Sequence, residues 1–73
     1  GEIMNTISNV GKNLRRIRIS QNLSIFTVSI DLQMSYHNIS NIERGFGNPS
    51  LKTLDKLANY YNIHIKTLFD EPT

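Results

Sequence analysis

Between residues 7 and 18, Ile7, Val10, Leu14 and Ile17 recur at steps of three and four, which places them on one face of an α-helix. Lys12, Arg15 and Arg16 fall off that face. The run ends near Gln21-Asn22, where asparagine can take the left-handed backbone that stops helices. Ser24 then caps a second predicted helix from Ile25 to Asp31, with Val28 and Leu32 spaced for burial. A third helix opens at Ser35, turns Ile39 and Ile42 inward and stops at Gly45. Asn48-Pro49-Ser50 combines a turn with a cap, and Leu51, Leu54, Leu57, Ala58 and Tyr61 follow as a stripe of helical period ending at Asn62. A last short helix holds Ile65, Leu68 and Phe69 before Pro72. No useful stretch alternates with period two, so the pattern predicts an all-α fold of five helices. The joint Leu32-Gln33-Met34 is short enough to force helices two and three to cross steeply, the geometry of a helix-turn-helix.

Seventy-three residues make one small domain that buries only about 60% of its unfolded surface. The expected division is a disordered tail over 1–6, a helical domain over 7–70 and a second tail over 71–73. Within the first tail, Gly1 to Ile3 read as foreign to the natural chain, with Met4 as its start. There is no Cys, so neither disulfides nor thiolate metal sites staple the core. No apolar run approaches the roughly 18 residues of a membrane span, the N-terminus lacks the regions of a signal peptide, and the expected location is the cytoplasm.

Charge matters through its distribution. Residues 7 to 52 carry Lys12, Arg15, Arg16, Arg18, Arg44 and Lys52 against Asp31 and Glu43, a net +4, whereas residues 53 to 73 are net −1. A polyanion is the natural partner for the first two thirds, with an ordinary solvated basic face as the plain alternative.

The segments Leu23-Ser24, Val28-Ser29, Met34-Ser35, Ile39 to Gly45 and Asn48-Pro49-Ser50-Leu51 resemble the Xre family, the lambda-repressor and Cro-like DNA-binding domains, and the likeness runs from Val10 to Phe69. It implies a compact five-helix lambda-repressor-like domain of a bacterial or phage transcription regulator, a repressor, with helix 35–44 in the major groove of double-stranded DNA. Ser35, Tyr36, His37 and Asn41 match base-reading positions. Their chemistry agrees, since Asn41 can pair bidentately with adenine, His37 can donate to guanine, and Tyr36 can reach a phosphate or a thymine methyl. Arg44, Asn48, Ser50 and Lys52 match phosphate-contacting positions, with Lys12 and Arg16 as flanking contacts. Arg18 and Glu43 match a structural ion pair between helices one and three. One recognition helix reads few base pairs, so a homodimer on a pseudo-palindromic operator is expected, with Ile65, Leu68 and Phe69 as its interface.

The chain departs from the family pattern in three places, at four residues. Ile25 and Phe26 stand where helix two usually begins with polar residues, which leaves three readings open: a thymine methyl, a protein partner, or local packing of Phe26 with Ile25 half exposed. Ser29 stands where alanine is typical and needs a hydrogen-bond partner. Gln33 stands where glycine is usual, which predicts a positive φ on a residue with a Cβ. His64 fits a cap for the last helix.

No metal site or cofactor is expected, because His37 and His64 lie far apart without Cys or a carboxylate cluster beside either. The chain has no phosphate loop, paired carboxylates or nucleophile constellation, so the reading is a binding domain and not an enzyme. The competing class is a protein-interaction or dimerisation module, such as the antitoxin of a toxin-antitoxin pair. Tyr36, His37, Ser40, Asn41 and Arg44 form a polar, acid-free outer face that favours DNA over it.

Overall fold

A computed structural model describes residues 2–72, with side chains from Thr6 onward. Four α-helices run in order: α1 (Glu2–Ser20), α2 (Ile25–Leu32), α3 (Tyr36–Glu43) and α4 (Leu51–Tyr61). Helix α1 begins earlier than its apolar spacing predicts, so residues 2–6, expected as a disordered tail, are helical. No Gly or Pro between Glu2 and Val10 interrupts the hydrogen-bond ladder. Gly1 and Thr73, at the ends of the two expected tails, lie outside the described residues.

Local chemistry sets most boundaries. Ser24, Ser35 and Ser50 each accept a hydrogen bond from the backbone N–H three residues on, at Thr27, Asn38 and Thr53. Each cap satisfies one of the donors that a helix start leaves open. At the other ends, Asn22, Gln33 and Asn62 take left-handed conformations with φ of 58°, 54° and 59°.

The fifth element is a correction to the sequence reading, because Ile65–Phe69 forms a 3-10 helix and not an α-helix. His64 caps it, its Nδ1 accepting from Lys66 N at 3.2 Å. The segment is one turn or so in length, too short for a stable α ladder. Its last carbonyls are also taken: Asn13 Nδ2 donates to Leu68 O at 2.9 Å and to Asp70 O at 2.7 Å.

The core draws Val10, Leu14 and Ile17 from α1, Val28 from α2, Ile39 and Ile42 from α3, Leu54, Leu57, Ala58 and Tyr61 from α4, and Leu68 from the 3-10 helix. Leu68 is fully buried, so of the expected interface trio it belongs to the interior. Leu51 heads the predicted apolar stripe yet is 68% exposed. Helix α1 packs against α3 and against the 3-10 helix, which makes it the element that fixes both.

Candidate nucleic-acid interface

Helix α3 has two chemically distinct sides. Ile39, Ile42 and Glu43 are buried, while Tyr36, His37, Asn38 and Arg44 are exposed and Ser40 and Asn41 are half-buried. Side chains three and four apart share a helix face, so Tyr36, His37, Ser40, Asn41 and Arg44 make one continuous outer strip. The expected base-reading residues Tyr36, His37 and Asn41 lie together on it. Ser35 stands at its edge with its hydroxyl oxygen engaged as the cap of α3, accepting from Asn38 N at 3.0 Å.

The turn before α3 works with the residues that break the family pattern. Gln33 holds φ 54° as the C-cap of α2, and its N–H reaches Ile30 O at 3.3 Å. Ser29 finds its partner, donating its hydroxyl to Phe26 O at 2.6 Å. Two contacts fix the other end of α3 to α1. Arg18 holds Glu43 through Nε and Nη2, at 2.8 and 3.0 Å, and Gly11 lets the backbones approach so closely that a Cβ there would overlap Ile42 O and lie 2.7 Å from Glu43 O.

Among the expected phosphate contacts, Arg44 closes α3 and lies over the Phe46 ring at 4.7 Å, a cation–π contact that restrains the guanidinium. Asn48 and Lys52 are exposed nearby in the chain, on the loop and first turn of α4. Ser50 caps α4, accepting from Thr53 N at 3.1 Å and donating to Thr53 Oγ1 at 3.0 Å. Lys12 is exposed on α1. Arg16 turns elsewhere: its Nη2 donates to Asn13 Oδ1 at 3.2 Å, on the side of α1 that meets the 3-10 helix.

At the head of α2, Ile25 is partly covered as the local-packing reading expects, but Phe26 is not packed. Phe26 is 62% exposed, whereas Ile25 is half-buried and packs against the core. Ile25 lies three residues before buried Val28 and shares its face, while Phe26 lines up with Ile30, itself 58% exposed. Among the described residues no three His, Cys, Asp or Glu side chains gather as a metal site. Sequence reasoning left Arg15, Phe46, Gly11 and Asn13 without a role, although Phe46 carried a signal as an aromatic between two glycines directly after Arg44.

The helix-turn-helix domain family matches residues 11–72. The chain belongs to the Xre-like helix-turn-helix family. Within it, this Xre-like domain is similar to the HTH-type transcriptional regulator DdrOP3 of Deinococcus deserti, at 36% identity over 59 residues. That match covers 81% of this chain and 46% of the regulator, so the chain spans about half of its relative's length. Its fold is similar to the restriction-modification controller protein C.AhdI from Aeromonas hydrophila, with a TM-score of 0.80, 30% identity, and coverage of 86% of this chain and 96% of that one. It is equally similar to the S. venezulae BldD DNA-binding domain, with a TM-score of 0.80, 27% identity, and coverage of 89% and 97%.

Proposed function

We propose that this Xre-like domain binds double-stranded DNA sequence-specifically as part of a transcription regulator, a repressor, with residues 35–44 in the major groove. The observation that carries the reading is the outer strip of α3, polar, free of acid and backed by a buried apolar face. A helix so placed can enter a groove as a rigid body. The names of its relatives, a transcriptional regulator, a controller protein and a DNA-binding domain, support the same function. Among the described residues no helix is long and apolar enough to cross a membrane, and the proposed site of action is the cytoplasm.

Asn41 and His37 are assigned to base edges with Tyr36 and Ser35 beside them, and Arg44, Asn48, Ser50, Lys52 and Lys12 to phosphates. A homodimer on a pseudo-palindrome fits exposed Leu51 and Phe69 and half-buried Ile65, which line a shallow depression with Lys52 and Asp55. The two opposite charges beside an apolar patch allow a second copy to pair with the first across a two-fold axis.

Selection of sites from random-sequence DNA tests the function directly. A two-fold symmetric enriched site with half-sites about 34 to 36 Å apart is expected, and recovery of no enriched sequence would remove specific DNA binding. On the selected site Asn41→Ala should cost roughly 1 to 3 kcal/mol and relax one base pair, whereas Arg44→Ala should weaken all sequences alike. A second reading, a protein-interaction module, is favoured by the exposed pair Phe26 and Ile30 on α2. A variant Phe26→Gln that keeps full DNA affinity and loses a protein partner would support it.

A further inference from the structure

Arg15 is given no role by the family resemblance or the fold, yet it helps to line a concavity beside the recognition helix. An open cleft of about 600 Å³ runs between α1 and the C-terminal end of α3. Lys12 and Arg15 line it from α1, Ser40 and Arg44 from α3, Ile25 from the head of α2, and Phe46 from the following loop. Arg18 and Glu43 also reach it, but they are engaged with each other, and Arg18 Nη1 is tied to Leu23 O at 2.8 Å. Among the residues whose side chains are described, Lys12, Arg15 and Arg44 have no carboxylate partner, the Arg18–Glu43 contact being the one ion pair there. Glu71 borders Lys12 on a separate depression and forms no ion pair with it.

Three cations without acids, brought to one concavity by two different helices, repel one another unless an anion enters between them. Their convergence on one concavity from two helices favours an anion there over ordinary solvation. Arg16, one residue on from Arg15, shows the contrast, since it turns to Asn13 on another side of α1. The walls add to the effect. Ile25 and Phe46 present carbon on two sides, so a group seated there loses water and its charged hydrogen bonds strengthen. The stacking of Arg44 on Phe46 holds one guanidinium at the rim before any ligand arrives.

We propose that this cleft seats one phosphate group, supplied by the DNA backbone beside the recognition helix, with Arg15 and Arg44 binding it from opposite walls and Lys12 adding charge. The proposal rests on the DNA-binding reading given above and adds Arg15 as a DNA-binding residue. It also gives the bound duplex a second contact to α1 beside Lys12, outside the helix-turn-helix itself. A contact of this kind carries no base preference, so it raises affinity on every sequence and sets how α3 is seated.

The test is a salt titration of affinity on a duplex selected by the wild-type domain, with a scrambled duplex in parallel. Arg15→Ala should lower the log-log slope by about 0.9, the value for one phosphate neutralised, and weaken both duplexes by the same factor. Arg15→Lys should keep the slope. Lys56→Ala removes an exposed charge on α4 that does not line the cleft, and should leave it unchanged. An unaltered melting temperature in Arg15→Ala shows that folding is not the cause, and Arg15→Gln repeats the measurement if the alanine variant is unstable. Titrating the free domain with inorganic phosphate, read by NMR at Ser40 and Arg44, distinguishes the source: shifts that vanish in Arg15→Ala mean that the cleft takes free anions too, and their absence alongside a reduced slope leaves the DNA backbone as the source. A slope in Arg15→Ala equal to that of wild type overturns the proposal while the DNA reading stands. A wild-type domain that binds neither duplex overturns both.

Discussion

Arg18 and Glu43 meet through two buried hydrogen bonds, Nε to Oε2 at 2.8 Å and Nη2 to Oε1 at 3.0 Å, a fork-to-fork pairing that joins α1 to α3. The third donor of the guanidinium reaches Leu23 O, so the same side chain also fixes the turn into α2. Hydrogen bonding to Glu43 raises the Arg18 pKa against the opposing pull of burial. Arg18→Ala leaves a carboxylate buried without its partner and should destabilise the domain by about 3 to 5 kcal/mol. The double variant Arg18→Met with Glu43→Leu should recover most of that loss, because neither charge is then buried alone. Urea unfolding of the three proteins checks this, and equal losses in the single and double variants would contradict it.

Gly11 sits mid-helix, where alanine normally stabilises by about 1 kcal/mol. Here the gain should be reversed. A Cβ would press on backbone carbonyls of Ile42 and Glu43, which cannot swing aside as a side chain does. Gly11→Ala is therefore expected to destabilise the fold by about 1 to 3 kcal/mol, the usual cost of overpacking. Because the strain falls on α3, DNA affinity should drop with it. Thermal unfolding and a binding assay on one sample decide the matter, and a higher melting temperature would refute the account.

Tyr61 is almost fully buried, and its hydroxyl has no hydrogen-bond partner among the described residues. Tyr61→Phe should leave stability at neutral pH unchanged or raise it by about 1 kcal/mol, since an unsatisfied group is removed. Burial also pushes the phenol up to about 12, from an ordinary value of 10.0. The unfolded chain releases this proton first, so the folded state holds more protons between pH 10 and about 12, and stability falls as pH rises through that window. The difference between wild type and Tyr61→Phe, followed by urea unfolding above pH 9, should widen in favour of the variant.

Gln33 holds φ 54° where glycine would carry no Cβ penalty. Gln33→Gly should stabilise by up to about 1 kcal/mol, partly offset by the greater freedom of glycine in the unfolded chain. For a domain of this size that is roughly 4 to 8 °C in melting temperature at most. A clear fall in melting temperature would show that the Gln33 side chain contributes something beyond its backbone shape.

What the sequence displays well is chemistry confined to a few neighbouring residues. The caps at Ser24, Ser35 and Ser50 and the stops at Asn22 and Asn62 are such features, and each lies where the pattern predicts it. Asn13 was unreadable for the opposite reason: its partners Leu68 and Asp70 lie 55 and 57 residues away, and nothing local marks it as a fully buried amide. Gly11 likewise takes its meaning from the backbone of α3 and not from its own helix. Leu51 fits the period of α4, but period cannot tell whether anything covers the first turn. For the candidate site, the outer strip of α3 was legible because it needs only helical spacing. Arg15 was not, since a step of one residue along α1 decides between the cleft and the side facing the 3-10 helix.

The close seating of α3 on Gly11 has a consequence for how such a domain changes over time. The residues that hold the helix down, Ile39, Ile42 and Glu43, share no position with those that leave the surface, Tyr36, His37 and Asn38. On the proposed reading, an outward side chain can be replaced to change the preferred duplex without altering the tilt of the helix, since surface exchanges usually stay within about 0.5 kcal/mol of neutral. If the outer strip reads bases as proposed, new preferences can accumulate one substitution at a time in a domain that stays folded. The lettering is free to drift because the frame that presents it is set from behind.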